Sequence, residues 1–126
     1  MLPLLALRQP TGARLSENKV EVKIRWVPSG TVTLETRTIG NVSTPELDWV
    51  LAWVGRQFGR GTNYDKTHDQ WPMTRYAFNA TVKQMNSEVN TPGTYRNATP
   101  WTLEKSEQKL EDTDGTQHVR LVFAIG

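Results

Sequence analysis

The residues best suited to chemistry are two histidines, His68 and His118, in a chain without cysteine. His68 lies in the segment Tyr64-Asp65-Lys66-Thr67-His68-Asp69, and adjacent His and Asp residues occur in metal-dependent phosphohydrolases. Such sites need further His and Asp ligands from packed helices, and the sequence predicts no second helix rich in them. We therefore expect no metal and no other cofactor.

A small metal-free ribonuclease is the main enzymatic alternative. It needs two acid–base groups and a cation at the scissile phosphate, which His68, His118 and either Lys66 or Arg75 could supply if the fold brought them together. Two histidines in 126 residues is an ordinary count, however, and His118 follows a predicted turn. The sequence favours two exposed histidines over a catalytic pair, so we predict no catalytic residue.

Two further motif classes are excluded by their context. The glycines of Gly55 to Gly61 lie at the C-terminal end of a predicted helix, whereas phosphate-binding glycines stand between a strand and a helix N-terminus. They are better explained as the stop of that helix. The Ser, His and Asp residues also lack nucleophile-elbow spacing, which excludes a serine hydrolase.

Cations and aromatic residues are interleaved around two predicted surface loops, residues 59–72 and 86–100. This mixture is typical of single-stranded RNA binding, because cations neutralise phosphates while aromatic faces stack on unpaired bases. The alternative is that Trp71 and Trp101 anchor the core and the arginines are merely solvated. The candidate RNA-binding residues are Arg56, Arg60, Tyr64, Lys66, Arg75, Tyr95 and Arg96.

The elements that must position these residues begin with a hairpin. Apolar and polar residues alternate from Lys19 to Trp26, a turn follows at Pro28-Ser29-Gly30, and a second strand is predicted from Thr31 to Ile39.

An amphipathic helix is predicted from Pro45 to Phe58, with Ser43 as its N-cap. Trp49 and Trp53 lie on the flank of its apolar stripe and make that stripe wider than one sheet contact needs. We therefore predict that both tryptophans form a protein interface.

Three more strands complete the prediction. Alternation of Tyr76, Phe78, Ala80 and Val82 with polar residues predicts a third strand. The composition of residues 101–110 favours a polar edge strand. Alternation from Val119 to Ile125 predicts the last strand. The predicted fold is α+β: a single antiparallel sheet of four to five strands with one main amphipathic helix packed on it, in the order β-β-α-β-β-β. The predicted core is Val22, Ile24, Leu34, Leu51, Val54, Phe78, Leu121 and Phe123.

Length and composition predict one α+β domain over residues 1–126, with an apolar N-terminal arm over residues 1–16. The formal net charge is +2 and the isoelectric point is about 9.1, which permits an anionic partner without requiring one. No segment reaches the ~18 consecutive apolar residues of a membrane span. Because the chain also lacks cysteine, we expect a cytoplasmic or virion-interior protein without a membrane partner.

These features favour a non-enzymatic structural, assembly or accessory protein, of the kind that small viral or phage genomes encode. Its expected partners are a second copy, giving a homodimer, or other protein subunits, with single-stranded RNA as a candidate further partner. The alternatives are the ribonuclease or another phosphoesterase, and an inhibitor or immunity-type binding module.

Overall fold

The computed structural model describes residues 18–58, 71–89, 101–110 and 113–125, which form a four-stranded antiparallel sheet and two helices. The strand order in the sheet is β2-β1-β4-β3, so the last strand of the chain lies centrally beside the first. This confirms the predicted α+β class with a single antiparallel sheet. In chain order the elements are β1 (Lys19–Trp26), β2 (Val32–Ile39), α1 (Thr44–Gln57), α2 (Arg75–Val89), β3 (Trp101–Leu110) and β4 (Gln117–Ile125).

The predicted hairpin is confirmed by β1 and β2, which pair without interruption from Lys19 opposite Ile39 to Trp26 opposite Val32. Its turn is closed by the Val27 N–H, which donates to the Thr31 carbonyl at 3.1 Å. Gly30 has a φ of 102°, a conformation that side-chain-bearing residues rarely adopt.

Helix α1 begins at the cap that the sequence predicts. The Ser43 hydroxyl accepts a hydrogen bond from the Glu46 N–H, and the Glu46 carboxylate accepts one from the Ser43 N–H, which together form a capping box. The buried face of the helix includes Val50 and Val54. Leu51, predicted as core, is only half-buried and lies outside the main core cluster.

The predicted third strand is wrong, because Arg75–Val89 forms helix α2. Its buried residues Phe78, Met85 and Val89 fit a helical stripe, whereas Tyr76, which a strand would bury, is 83 % exposed. The Thr74 hydroxyl accepts a hydrogen bond from the Ala77 N–H at 3.0 Å and caps the helix start. Residues 86–89 of the predicted second loop therefore belong to this helix.

The remaining strand predictions are confirmed. β3 is an edge strand paired to β4, and β4 extends the predicted C-terminal strand by two residues at its start. Neither α1 nor α2 is long and apolar enough to cross a membrane. The N-terminal arm and most of both predicted loops lie outside the described residues.

The core lies between one face of the sheet and the helices. The Trp53 ring lies 5.7 Å from that of Phe123, and the Trp101 ring lies 6.0 Å from Phe123. Of the predicted core residues, Leu34 packs partly buried against the core, and the buried ones are Val22, Ile24, Val54, Phe78, Leu121 and Phe123.

A buried glutamine fixes the segment that leads into α2. Gln117 accepts a hydrogen bond from the Met73 N–H and donates one to the Met73 carbonyl, both at 2.8 Å. Gln108 donates a second bond to that carbonyl at 2.9 Å. Strands β3 and β4 therefore hold the segment before α2 through side-chain hydrogen bonds rather than through backbone pairing.

Candidate nucleic-acid interface

The candidate site is the outer face of the sheet, which we define as the face opposite the helices. Along β1, Val20, Val22 and Ile24 are buried in the core, so the alternate side chains point outward. Strand register then places the outward residues of the other strands beside them. The outer face comprises Lys19, Glu21, Lys23 and Arg25 of β1; Thr33, Glu35, Arg37 and Ile39 of β2; His118, Arg120, Val122 and Ala124 of β4; and Thr102, Glu104, Lys105, Glu107 and Lys109 of β3.

Positive charge is concentrated on this face. Seven of the ten Lys and Arg residues in the described ranges lie on it, against four glutamates. Three cations lie elsewhere in those ranges, all on the helices. The seven are Lys19, Lys23, Arg25, Arg37, Lys105, Lys109 and Arg120.

Glu21 organises the centre of the outer face. It is 4 % exposed and accepts hydrogen bonds from the Nε of Arg37, at 3.1 Å, and from the Nε of Arg120. Arg120 also donates to Glu107 at 3.1 Å. The bond from Arg120 is the main reason that the pKa of Glu21 lies below its ordinary value, and Arg37 lowers it further against the opposing effect of burial. The network fixes two arginines in place on an otherwise open surface.

Four of the outer-face cations are not neutralised in this way. Lys19 pairs with Glu104 at 3.0 Å, but no ion pair to a described residue is formed by Lys23, Arg25, Lys105 or Lys109. Arg25 does lower the pKa of the Asp114 carboxyl through its charge, so the least compensated cations are Lys23, Lys105 and Lys109. Binding of an anionic ligand to any of the four would not first have to break a salt bridge within the described residues.

A shallow groove lies where β1, β4 and β3 run side by side. It is lined by Lys23, Glu107, Lys109, His118 and Arg120, and Lys109 is directly opposite His118 in the ladder. The groove brings one histidine, one carboxylate and three cations to the same part of the outer face. That combination can hold a phosphate group and also provides acid–base groups.

The structure places only some of the residues that the sequence analysis selected. Arg56 lies exposed in the last turn of α1, and Arg75 begins α2, with its guanidinium 5.6 Å from the centre of the Phe78 ring. Both belong to the helix layer, so the structure does not bring Arg75 to His118 on the outer face. Arg60, Tyr64, Lys66, Tyr95, Arg96 and His68 lie outside the described residues.

The two tryptophans selected as an interface differ in burial. Trp53 is 2 % exposed and its indole Nε1 donates to Glu88 of α2 at 2.8 Å, so it joins the two helices within the core. Trp49 is half-buried and stacks on Trp53 with ring centres 5.0 Å apart. The surface that this pair offers to a partner therefore comes from Trp49.

The outer face was missed by sequence reasoning because no single segment carries it. Its signal is the polar half of each alternating strand, which in isolation is typical of a solvated face. The accumulation of charge becomes visible only when strand pairing sets Lys23 beside Arg120 and Arg25 beside His118.

No set of three or more His, Asp or Glu side chains within the described ranges could hold a metal ion, while Asp65, His68 and Asp69 lie outside them. No family model matches the chain, and no curated protein or solved structure shows significant similarity to it.

Proposed function

We propose that this protein is a non-enzymatic binding protein that holds single-stranded RNA against the outer face of its sheet. The observation that carries the proposal is the location of seven of the ten described Lys and Arg residues on that face, opposite the helices. One-sided clustering of cations is typical of nucleic-acid-binding domains, whereas cations that serve only solubility are spread over the surface.

Phosphate neutralisation supplies the binding energy in this proposal. Four cations form no salt bridge to a described residue, and each can replace a counterion on the RNA: Lys23, Arg25, Lys105 and Lys109. For roughly four phosphates on a single strand, the affinity should fall with a log–log salt slope of about −3. Base stacking would come from the tyrosines of the predicted loops.

Fluorescence anisotropy with a labelled single-stranded RNA at several salt concentrations tests the proposal. We expect Lys23→Ala combined with Lys109→Ala to weaken binding to all sequences and to flatten the slope by about 1.4. Lys83→Ala is the matched control, because Lys83 is exposed on α2. Wild-type protein that fails to bind at low salt, or a control variant that weakens binding equally, contradicts the proposal.

A ribonuclease is the second candidate, because His118, Glu107 and Arg120 line one groove. Incubation of the same labelled RNA with the protein, followed by denaturing electrophoresis, separates the two. Binding without cleavage supports a binding protein, whereas cleavage that is lost in His118→Ala and in Glu107→Gln supports the enzyme.

An accessory or assembly role in a small virus or phage is the biological setting that we propose. A small protein that binds RNA without sequence selection and also contacts other protein chains fits genome packaging or a polymerase complex.

A further inference from the structure

The two edge strands of the sheet differ in how well they are protected against further pairing. At β3 the ladder is interrupted between Leu103 and Lys105, and four of the ten residues are charged. A bulge and charged side chains are common devices that prevent an edge strand from pairing with another chain. β3 is therefore a protected edge.

Strand β2 has none of these devices. Its ladder to β1 is regular over eight residues, it contains no proline or lysine, and its only charged residues are Glu35 and Arg37. β-branched residues make up most of the rest, which favours an extended strand. No described strand pairs with its outer edge.

The hydrogen-bond pattern shows which backbone groups β2 presents at that edge. The N–H and the carbonyl of Val27 both point into the hairpin, where they bond Thr31 and Gly30. The backbone groups of successive residues in an antiparallel pair point alternately toward and away from the partner strand. Counting from Val27 and Thr31 along the register, residues 33, 35, 37 and 39 of β2 therefore bond to β1. The bond from the Ile125 N–H to the Asn18 carbonyl on the opposite side of β1 agrees with this alternation. Residues 32, 34, 36 and 38 therefore direct their N–H and carbonyl groups outward.

We propose that β2 pairs antiparallel with β2 of a second copy of this chain, about a two-fold axis at Thr36. At that axis Thr36 and the partner's Thr36 exchange both of their outward backbone hydrogen bonds. Leu34 and the partner's Thr38 form the next bonded pair. The backbone alternation thus fits the two-fold register without a bulge.

Charge complementarity favours a second copy over another partner. In this register Glu35 lies opposite the partner's Arg37, and Arg37 lies opposite the partner's Glu35, in the closely spaced pairs that do not share backbone bonds. Glu35 forms no ion pair with a described residue of its own chain. Arg37 uses its Nε for Glu21 and has a side chain that is 67 % exposed, so its terminal nitrogens can reach the partner. The strand is complementary to itself.

The resulting sheet has eight strands and joins two outer faces into one continuous surface. This contact does not rest on RNA binding, and it can be tested without RNA. It also differs from a dimer through Trp49 and the helices, since it uses the sheet edge.

The first test removes one outward N–H. Thr36→Pro deletes a donor that makes no bond to β1, and proline is tolerated on an edge strand at such a position. We expect light scattering of the full chain to show a dimer for the wild type and a monomer for Thr36→Pro, with unchanged circular dichroism. Ser106→Pro on the protected edge β3 is the matched control, because the same alternation directs the Ser106 N–H away from β4, and it should remain dimeric.

The second test uses charge and does not depend on how well the proline variant folds. Glu35→Lys and Arg37→Glu each place like charges opposite one another, so each alone should weaken the dimer roughly tenfold or more. An equal mixture of the two should restore association, because both cross-pairs are then opposite in sign. Recovery on mixing supports the β2 contact.

Three results overturn the proposal: a wild-type monomer at high micromolar concentration, a dimer that survives Thr36→Pro, or a mixture no tighter than its components. A dimer insensitive to all three variants but lost in Trp49→Ala would assign the contact to the helices instead.

Discussion

Arg120 donates a hydrogen bond from its Nε to Glu21, a carboxylate that is 4 % exposed although it lies on the outer face of the sheet. This bond and the one from Arg37 lower the pKa of Glu21 in the folded protein. A lowered pKa means that the ionised carboxylate stabilises the fold at pH values above its ordinary pKa of 4.5, and that this stabilisation is lost as the pH falls through the lowered value.

We therefore predict that Glu21→Gln lowers the free energy of unfolding by roughly 1.5–3 kcal/mol at neutral pH, the range for hydrogen bonds to charged groups. The difference from wild type should narrow as the pH falls from 4.5 through the lowered pKa of Glu21, because the carboxylate becomes protonated over this range and then carries no charge, like the glutamine. Urea unfolding over a pH series measures it. Asp48→Asn is the control, since Asp48 is exposed on α1 and forms no ion pair with another described residue, and a difference between wild type and Glu21→Gln that stays constant with pH contradicts the prediction.

Most of the fold could be predicted because the local signals of its elements agree with their packing. The alternation in Lys19–Trp26 and the cap at Ser43 each fix an element within a few residues. Helix α2 was mispredicted because its first turns also alternate with period two. Phe78, Val82, Met85 and Val89 carry the competing helical stripe, and a window ending at Val82 omits half of it.

The core assignment of Leu51 failed for a related reason. It satisfies the helical period together with Leu47 and Val54, but the buried face of α1 is centred on Val50, Trp53 and Val54. The exact rotation of a helix on a sheet depends on its tertiary partners, here Glu88 and Phe123 against Trp53. Periodicity predicts that the helix has an apolar stripe, but it does not predict which side of that stripe is buried most deeply in the core.

Gln117 is predicted to be a structural residue despite its polar side chain. Gln117→Leu leaves the buried Met73 N–H without its acceptor, which should lower the free energy of unfolding by roughly 1–3 kcal/mol. Amide hydrogen exchange should show faster exchange at Met73 in the variant than in wild type. Gln108→Ala is the matched control, because Gln108 bonds only the Met73 carbonyl, which keeps its bond from Gln117. Equal protection of the Met73 amide in all three proteins would contradict this role.

Trp53 and Trp49 should differ in their effect on stability. Trp53→Ala removes a ring that is 2 % exposed and the bond to Glu88, and should lower the free energy of unfolding by roughly 3–5 kcal/mol. Trp49→Ala, which truncates a half-buried ring, should have a clearly smaller effect. Chemical denaturation of both variants measures the difference. An equal loss of unfolding free energy in the two variants would contradict the prediction that the deeper burial of Trp53 makes it the more stabilising ring. The contrast also makes Trp49 the suitable position for testing a helix-mediated contact.

RNA binding by the predicted loops and RNA binding by the outer face should respond to different substitutions. Arg60→Ala and Arg96→Ala should each flatten the salt slope of RNA binding by about 0.7 if each contacts one phosphate. Tyr64→Ala and Tyr95→Ala should weaken binding by roughly 1–3 kcal/mol per stacked base, with little change of slope, because stacking releases no counterion. Anisotropy titrations at several salt concentrations distinguish these two classes of variant.

Lys109→Ala provides the reference variant on the outer face. If all four loop variants bind as wild type while Lys109→Ala flattens the slope, the loops do not contact RNA and the sheet alone binds it. If the loop variants weaken binding and Lys109→Ala does not, the loops bind RNA and the outer face is only solvated.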